Sequence, residues 1–329
     1  MSTNAIEVSN LRKRYGKKEV LRGINLAIPR GSLFGLLGRN GEGKTTTIKA
    51  LLGLLKFDDG TINVLDMNPR RDAVKIRARV GYMAENQAMY DWMTIREIRR
   101  WVASFYPLWN DAFACELQKR FRLEDAAKVG TLSKGQSSKL ALMLALGHKP
   151  ELVILDDPTL GLDPVARKEF LREIIGLLQQ WNATVLFSSH LLYEIDPICD
   201  HVAILDEGRI VRASATDALR ERIKRLIVPV PDSADAIDVP GLMHVEIDGN
   251  HAAIVTDEWE IARATLSERC SRGMGGGGIE VEDLNLDEVF EAQVIGIRAA
   301  GPFRAGHGGN ADLIRTHHAS GGPAAAGDL

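Results

Sequence analysis

The stretch SLFGLLGRNGEGKTTTIKALLGLL, residues 32–55, joins an apolar run to a helical pattern of apolar residues through a glycine-rich turn. Its centre, GRNGEGKT at 38–45, fits the pattern G-x-x-x-x-G-K-[ST] between a strand and a helix. Glycines let successive backbone N–H groups point inward, and the N-terminus of the helix adds partial positive charge. The stretch therefore predicts a phosphate-binding loop at the end of a buried strand.

The residue types in this loop predict how phosphates are held. We expect Lys44 to reach the β- and γ-phosphates and the Thr45 hydroxyl to ligate Mg²⁺. Glu42 is unexpected beside an anion, so we expect its side chain to point to solvent. A coincidental glycine-rich turn is the alternative. The residues predicted to surround the phosphates are Gly38, Arg39, Asn40, Gly41, Glu42, Gly43, Lys44, Thr45 and Thr46.

A second stretch, LVILDDPTLGLDP at 152–164, runs from a buried strand into Asp156 and Asp157. Asp156 beside the phosphate loop can hold Mg²⁺ through its water shell. Two buried carboxylates without a cation would raise each other's pKa, so the pair indicates a metal or a base-like role. The alternative is that both aspartates cap the turn that follows the strand.

A third stretch, LSKGQ at 132–136, opens the helical pattern SSKLALMLALG. Ser133 and Gly135 would place a hydroxyl and bare backbone at a helix N-terminus, which is a second anion site. Many helices begin with Ser and Gly, so this signal is weak by itself.

Strand patterns alternate with helical patterns over much of the chain, which predicts an α/β fold with a mainly parallel sheet. Short β-rich runs before residue 32 predict antiparallel strands, and residues 89–150 are predicted to be mostly helical. After about residue 222 the pattern changes. A hairpin around Asp-Gly-Asn, two helical patterns and a glycine-rich loop predict a small α+β domain at 226–298. The Gly- and Ala-rich residues 300–329 predict a disordered tail.

Composition limits the function. The chain has 329 residues and a formal net charge of −3, which does not favour a nucleic-acid partner. Its longest apolar run, 140–146, is far shorter than the ~20 residues that span a bilayer. The N-terminus lacks the pattern of a signal peptide. Cys115, Cys199 and Cys270 show no metal or disulfide spacing. We expect a cytoplasmic protein with reduced thiols.

The phosphate loop, the aspartate pair, LSKGQ and His190 after TVLFSS, in this order, resemble the ATP-binding subunit of an ABC transporter. The resemblance covers residues 4–222. It implies a P-loop NTPase fold with an antiparallel β subdomain and a helical subdomain, and it implies ATP and Mg²⁺ as cofactors. Tyr15 matches the family's adenine-stacking aromatic, and Asp163 matches the loop after the aspartate strand. The region ending in LDEVF is loosely similar to the C-terminal domain of drug- and lipid-exporting members.

Two departures from the family pattern bear on catalysis. The family usually has Glu where this chain has Asp157, and that Glu polarises the attacking water. Asp is shorter by ~1.5 Å, and a misplacement near 1 Å can cost on the order of 10²-fold in rate. The resemblance therefore predicts a slow ATPase. Glu85 replaces a Gln that touches Mg²⁺ and water, and Gln87 is a candidate substitute. By the resemblance, His190 would contact the γ-phosphate.

The resemblance also implies partners. In the family, the helix carrying LSxGQ in one protomer closes over the ATP of the other, so Ser133, Gly135 and Gln136 imply a homodimer. The transport pathway would be a separate membrane permease that holds the chain at the inner face of the cell membrane. We expect Tyr90 and Trp92 to contact that permease, whereas Trp101 and Tyr106 fit either the interface or the core. The C-terminal domain and Glu85 favour export.

Two other functions stay open at this stage. One is a soluble ABC-type ATPase that acts on ribosomes or DNA, although such chains usually carry two cassettes, coiled-coil insertions or basic extensions. The other is an ATP-gated dimerisation switch that does not hydrolyse ATP because Asp157 replaces Glu.

Overall fold

The computed structural model of the chain describes residues 2–190, 198–229, 238–248, 251–273 and 278–298. The tail predicted at 300–329, the glycine run at 275–277 and the short helix predicted after His190 lie outside the described residues. The chain divides into two compact units, with the first ending at Thr216 and the second beginning at Asp217. This division comes a few residues before the boundary expected near 222. The Trp259 indole donates to the Glu221 carbonyl at 3.1 Å, so residues just before 222 belong to the second unit.

The first unit combines two sheets with helices. In chain order it contains β1 (Asn4–Tyr15), β2 (Lys18–Pro29), β3 (Leu33–Leu37), α1 (Lys44–Leu51), β4 (Asp59–Val64), α2 (Pro69–Arg79), β5 (Val80–Met83), α3 (Ile95–Ala103), α4 (Asp111–Arg120), α5 (Lys134–Leu146), β6 (Leu152–Asp156), α6 (Pro164–Leu178), β7 (Thr184–Ser189), β8 (His201–Asp206) and β9 (Arg209–Ala215).

The central sheet has six strands in the order β5-β6-β7-β3-β8-β9. All neighbouring pairs are parallel except β8 and β9. Every residue of β6 and β7 is buried, as expected for parallel strands covered on both faces. Because β3, β6 and β7 are neighbours, their carboxyl ends meet at one edge of the sheet, where parallel α/β folds bind ligands.

The second sheet of this unit is antiparallel, with the order β2-β1-β4. Apolar residues of β1 and β2, such as Ile6 and Leu21, form one core cluster with Ile48 and Leu51 of α1. This cluster fixes the helix that follows the phosphate loop against both sheets. The predicted α/β fold with an antiparallel β part is confirmed.

The helices α3, α4 and α5 lie between β5 and β6 in the chain, within the segment predicted to be helical. Local capping explains where they begin. A capping box joins Thr94 and Glu97 at α3, the Asn110 side chain caps α4, and a second capping box joins Ser133 and Gln136 at α5. In the parts of the chain that the structure describes, no helix is both long enough and apolar enough to cross a bilayer.

The second unit is a small α+β assembly. It contains α7 (Thr216–Arg222) from its second residue onward, β10 (Lys224–Pro229), β11 (Leu242–Asp248), β12 (His251–Thr256), α8 (Trp259–Gly273), β13 (Glu280–Asp283) and α9 (Leu286–Arg298). Its antiparallel sheet has the order β11-β12-β10-β13, and β11 and β12 form the predicted hairpin. Leu226 and Ile254 of the sheet pack against Ala262 and Leu266 of α8.

Candidate functional site

The loop between β3 and α1 needs glycine at several positions for steric reasons. Gly41 and Gly43 have φ of 88° and 114°, which L-residues rarely adopt. A Cβ on Gly43 would lie 2.6 Å from the Leu21 side chain, and a Cβ on Gly38 would lie 2.5 Å from the Leu205 carbonyl oxygen. The glycines of the motif are therefore fixed by backbone conformation and by close approach.

Lys44 is the first residue of α1 and is buried at the base of the loop. Its Nζ donates to the carbonyl oxygens of Gly38 at 2.7 Å and Arg39 at 3.3 Å. Burial lowers the pKa of Lys44, and the carboxylates of Asp157, Asp156, Glu85 and Glu42 oppose that effect. Gly43 is the N-cap residue of this helix and has no side chain to cap it, so the first N–H groups of the helix remain available to an anion.

The side chain of Glu42 does not point to solvent, and that expectation was wrong. Glu42 is half-buried and accepts a hydrogen bond from the backbone N–H of Glu207. Glu207 has a φ of 44° in the turn between β8 and β9, where its amide faces the phosphate loop. The carboxylate thus connects two loops at this edge of the sheet.

Asp156 is fully buried at the end of β6. Its Oδ1 accepts a hydrogen bond of 2.6 Å from the Ser188 hydroxyl, whereas its Oδ2 is buried and has no partner of hydrogen-bond geometry among the described residues. Burial raises the pKa of Asp156, and the hydroxyls of Ser188 and Thr45 lower it. An orphaned carboxylate oxygen near a threonine hydroxyl is a donor set that fits Mg²⁺.

Asp157 lies between a lysine and a histidine. Its Oδ2 is 3.8 Å from Lys44 Nζ, and its Oδ1 is 2.9 Å from His190 Nδ1 and accepts the His190 N–H at 3.3 Å. The residue has a φ of 44°, and its own N–H donates to the Ser188 carbonyl at 3.1 Å. The carboxylate is therefore directed at the phosphate loop by its neighbours on two other segments.

Glu85 acts on the same cluster through its charge. It follows β5 and is half-buried, as is Gln87. Burial raises the pKa of Tyr82 to about 12, and the charges of Asp156 and Glu85 contribute to this shift. The charge of Glu85 also acts on Lys44. Glu85 is therefore near enough to Lys44 and Tyr82 for its charge to affect both groups, and its role at a Mg²⁺ site stays a prediction.

Other predicted site residues lie on the surface of the protomer. Ser133 and Gln136 are exposed and bond to each other in the capping box, and a Cβ on Gly135 would meet only Leu162, at 4.0 Å. Tyr15 is exposed, with Lys13 Nζ 5.3 Å from its ring centroid. The structure groups Lys44, Asp156, Asp157 and His190 directly, but these surface groups make their described contacts elsewhere.

An aromatic patch formed by Tyr90, Trp92, Trp101 and Phe105 is exposed on the first unit. The ring centroids of Tyr90 lie 5.9 Å from Trp92 and 5.1 Å from Trp101, and Trp101 lies 4.9 Å from Phe105. Trp101 therefore belongs to the surface. Tyr106 instead is half-buried and stacks on the buried His148, with the ring centroids 4.1 Å apart.

Ser188 is the residue of this site that the sequence did not reveal. It contacts Asp156 through its hydroxyl and Asp157 through its carbonyl. The only signal in the sequence is its place two residues before His190. That position becomes informative only when the pairing of β6 with β7 is known.

Comparison with known proteins agrees with this geometry. A family model described as ABC transporter matches residues 21–160. The chain is 37% identical to the bacitracin transport ATP-binding protein BcrA of Bacillus licheniformis, over 69% of this chain and 74% of that protein. It is 36% identical to the Nod factor export ATP-binding protein I of Burkholderia orbicola (strain AU 1054), over 88% of this chain and 97% of that protein.

Solved structures give the same result. A structure described as the ATP-binding subunit of an ABC transporter superposes with a TM-score of 0.60 and is 29% identical, over 66% of this chain and 92% of that one. The similarity therefore extends over most of the length of these relatives. The chain belongs to the family of ABC transporter ATP-binding proteins.

Proposed function

We propose that the chain is an ATP-hydrolysing subunit of an export-type ABC transporter that binds Mg-ATP at the loop between β3 and α1. The observation that carries the proposal is the cluster of Lys44, Asp156, Asp157 and His190 at that loop, with one buried oxygen of Asp156 lacking a partner among the described residues. A buried cationic group and an orphaned anionic oxygen side by side fit a phosphate chain with its cation.

The chain's own residues would divide the chemistry as follows. When phosphate binds, Lys44 Nζ exchanges its hydrogen bonds to the carbonyl oxygens of Gly38 and Arg39 for hydrogen bonds to phosphate oxygens. Thr45 and Asp156 would hold Mg²⁺, with Glu85 beside them, and the bound ion would offset negative charge on the phosphates. Asp157 orients and polarises the attacking water as the base, and His190 holds the Asp157 carboxylate from its other side.

Release of inorganic phosphate by the purified chain tests this proposal. We expect Mg²⁺-dependent release from ATP, and no release by Lys44→Ala. If the unchanged chain releases no more phosphate than Lys44→Ala does, hydrolysis is refuted and the ATP-gated switch is favoured. One observation supports that alternative: the Asp157 carboxylate, on a side chain shorter than that of glutamate, already contacts His190 and Lys44.

The exposed N-terminus of α5 supports a homodimer. Ser133, Gly135 and Gln136 make no described contact with the phosphate loop of their own protomer, and a second copy could place them over its nucleotide. In this arrangement two ATP molecules join the protomers, and hydrolysis reopens them. A protomer that stays monomeric with Mg-ATP bound and turnover blocked would refute the arrangement.

The partner of the dimer would be a separate membrane permease, which keeps the chain at the inner face of the cell membrane. The aromatic patch supports this part of the proposal because exposed aromatic clusters act as interface anchors. The relative named for Nod factor export supports the direction of transport. Action on ribosomes or DNA has no comparable support, since the net charge of −3 is unfavourable for nucleic acid.

A further inference from the structure

One buried hydroxyl contacts both aspartates of the candidate site. Ser188 is fully buried in β7, directly opposite Asp156 of β6 in the parallel pairing. Its Oγ lies 2.6 Å from Asp156 Oδ1 and accepts the N–H of Asp157 at 3.2 Å. The Ser188 carbonyl accepts the same N–H at 3.1 Å.

The direction of these hydrogen bonds follows from proton counting. A serine hydroxyl has one proton to donate and lone pairs to accept with. Because the Asp157 N–H can only donate, Oγ accepts from it, and the single hydroxyl proton is left for Asp156. Asp156 Oδ1 is therefore the acceptor, which fixes the rotation of the carboxylate about its last bond.

This rotation decides where the other oxygen points. With Oδ1 held by Ser188, Oδ2 is the atom left without a partner among the described residues, and it is the atom available to a cation. The bond from the Asp157 N–H also supports the left-handed turn at that residue, which carries the carboxylate toward Lys44 and His190. The Ser188 side chain thus orients the Asp156 carboxylate and adds a second acceptor, beside the Ser188 carbonyl, for the N–H of Asp157.

We propose that Ser188 is a positioning residue of the nucleotide site, which holds Asp156 oriented for Mg²⁺ while touching neither nucleotide nor cation itself. The inference rests on the proposed function because it assumes that Mg-ATP is the ligand. Residues that support metal ligands from behind commonly change metal affinity by about 10- to 100-fold when they are removed.

The same strand offers a matched control. Thr184 lies at the other end of β7, is also buried, and accepts the N–H of Gly31 through its hydroxyl at 2.9 Å. Thr184→Ala therefore removes a buried hydroxyl and one hydrogen bond from β7 without touching the aspartates. Any general effect of weakening the strand should be common to Ser188→Ala and Thr184→Ala.

The test is equilibrium binding of a fluorescent ATP analogue to the full chain, measured once with Mg²⁺ and once with EDTA. For the unchanged protein and Thr184→Ala we expect Mg²⁺ to strengthen binding. For Ser188→Ala we expect the same affinity in EDTA but a loss of about tenfold in the Mg²⁺-dependent gain. Ser188→Thr, which keeps a hydroxyl on the same Cβ, should recover that gain.

Four results would count against the inference or its basis. An undiminished Mg²⁺ gain in Ser188→Ala would overturn it, and so would an equal loss in Thr184→Ala. If the unchanged protein itself shows no Mg²⁺ gain, the proposed function fails instead. If Ser188→Ala does not fold, Ser188→Cys keeps the volume with a weaker donor, and an undiminished Mg²⁺ gain in that variant would also overturn the inference.

Discussion

At the scale of single residues, the site is organised around a carboxylate that is shorter than its family counterpart. Asp157 nevertheless reaches both of its neighbours, with 2.9 Å to His190 Nδ1 and 3.8 Å to Lys44 Nζ. The left-handed backbone at Asp157 and the bond from its N–H to Ser188 bring the short side chain into place. We predict that the shorter side chain reaches less far toward an attacking water than a glutamate would.

Lengthening this side chain by one methylene should raise turnover. In Asp157→Glu the carboxylate moves ~1.5 Å further from the backbone, and we expect steady-state ATP hydrolysis to increase by up to about 10²-fold. Phosphate release at saturating Mg-ATP measures the change, with Lys44→Ala as the blank. A decrease in turnover would show that the site is built around aspartate.

His148 gives the molecule a pH-dependent stability that is unrelated to nucleotide. Its ring is buried against Tyr106, and burial lowers the pKa of His148 from 6.5 to about 4, although the Val80 backbone acts in the opposite direction. The unfolded chain therefore binds a proton at His148 more readily than the native chain does. The stability that the neutral ring provides is complete above pH 6.5 and is lost as the pH falls toward 4.

Removing this titration should flatten the pH dependence of unfolding. Between pH 7 and pH 5 we expect His148 to account for about 2 kcal/mol of lost stability in the unchanged protein. His148→Phe keeps a ring against Tyr106 and cannot bind a proton. Urea unfolding at both pH values measures the free energies, and an equal loss in both proteins would contradict the assignment.

At the scale of elements, different residues at the N-terminus of α5 carry its structural role and its proposed functional role. Ser133 and Gln136 cap the helix by bonding to each other, so the motif has a structural role inside one protomer. Gly135 has no such role, because a Cβ there would meet only Leu162, at an ordinary 4.0 Å. Space inside the protomer therefore does not require glycine at 135, which is consistent with the proposed approach of a second copy.

Gly135→Ala should leave the protomer as stable as before and abolish its ATP-dependent assembly. Alanine is about 1 kcal/mol more favourable than glycine inside a helix, so the melting temperature should stay or rise. The new methyl group would occupy space that the partner's phosphates need. Size-exclusion chromatography of hydrolysis-blocked protein with Mg-ATP measures the dimer.

Gly176→Ala is the control for this substitution. Gly176 lies in α6, and a Cβ there would meet only Arg120, at 3.9 Å. It should show the same gain in stability and still dimerise. Dimerisation of Gly135→Ala at the same ATP concentration would contradict the assignment of α5 to the partner's nucleotide.

At the scale of the whole molecule, the exposed aromatic patch is the feature that the fold itself does not need. Trp92 is 67% exposed and Phe105 is 62% exposed, although both are large apolar side chains. Burying such rings against a permease would recover the hydrophobic free energy that folding leaves unused. No described ring contact joins the patch to Lys44, Asp156, Asp157 or His190.

Trp92→Ala should weaken association with the permease while nucleotide affinity stays unchanged. Co-purification from membranes reports the first quantity, and equilibrium binding of Mg-ATP reports the second. Val74→Ala removes another exposed apolar side chain, on α2, and should change neither. Unchanged co-purification of Trp92→Ala would exclude this ring from the interface.

The sequence by itself determined the fold class and most of the candidate site. The glycines within 38–43 could be interpreted directly, because a positive φ and close packing around the backbone exclude most other residue types. Lys44, Asp156 and His190 could be placed because the ends of parallel strands meet at one edge of a sheet. The start of α5 at Ser133 was predicted from the sequence, because capping depends only on neighbours in the chain. The caps at Thr94 and Asn110 are equally local, but the structure was needed to identify them.

Only the tertiary structure decided the contacts that join distant segments. The hydrogen bond from Glu207 to Glu42 joins residues more than a hundred positions apart in the chain. The contacts of Ser188 with two aspartates, and the stacking that keeps Tyr106 apart from the exposed patch, join residues tens of positions apart. Strand register sets which hydroxyl faces which carboxylate, and no local pattern encodes that register. The residue type therefore determined the chemistry of each side chain, whereas tertiary packing determined which residue that side chain contacts.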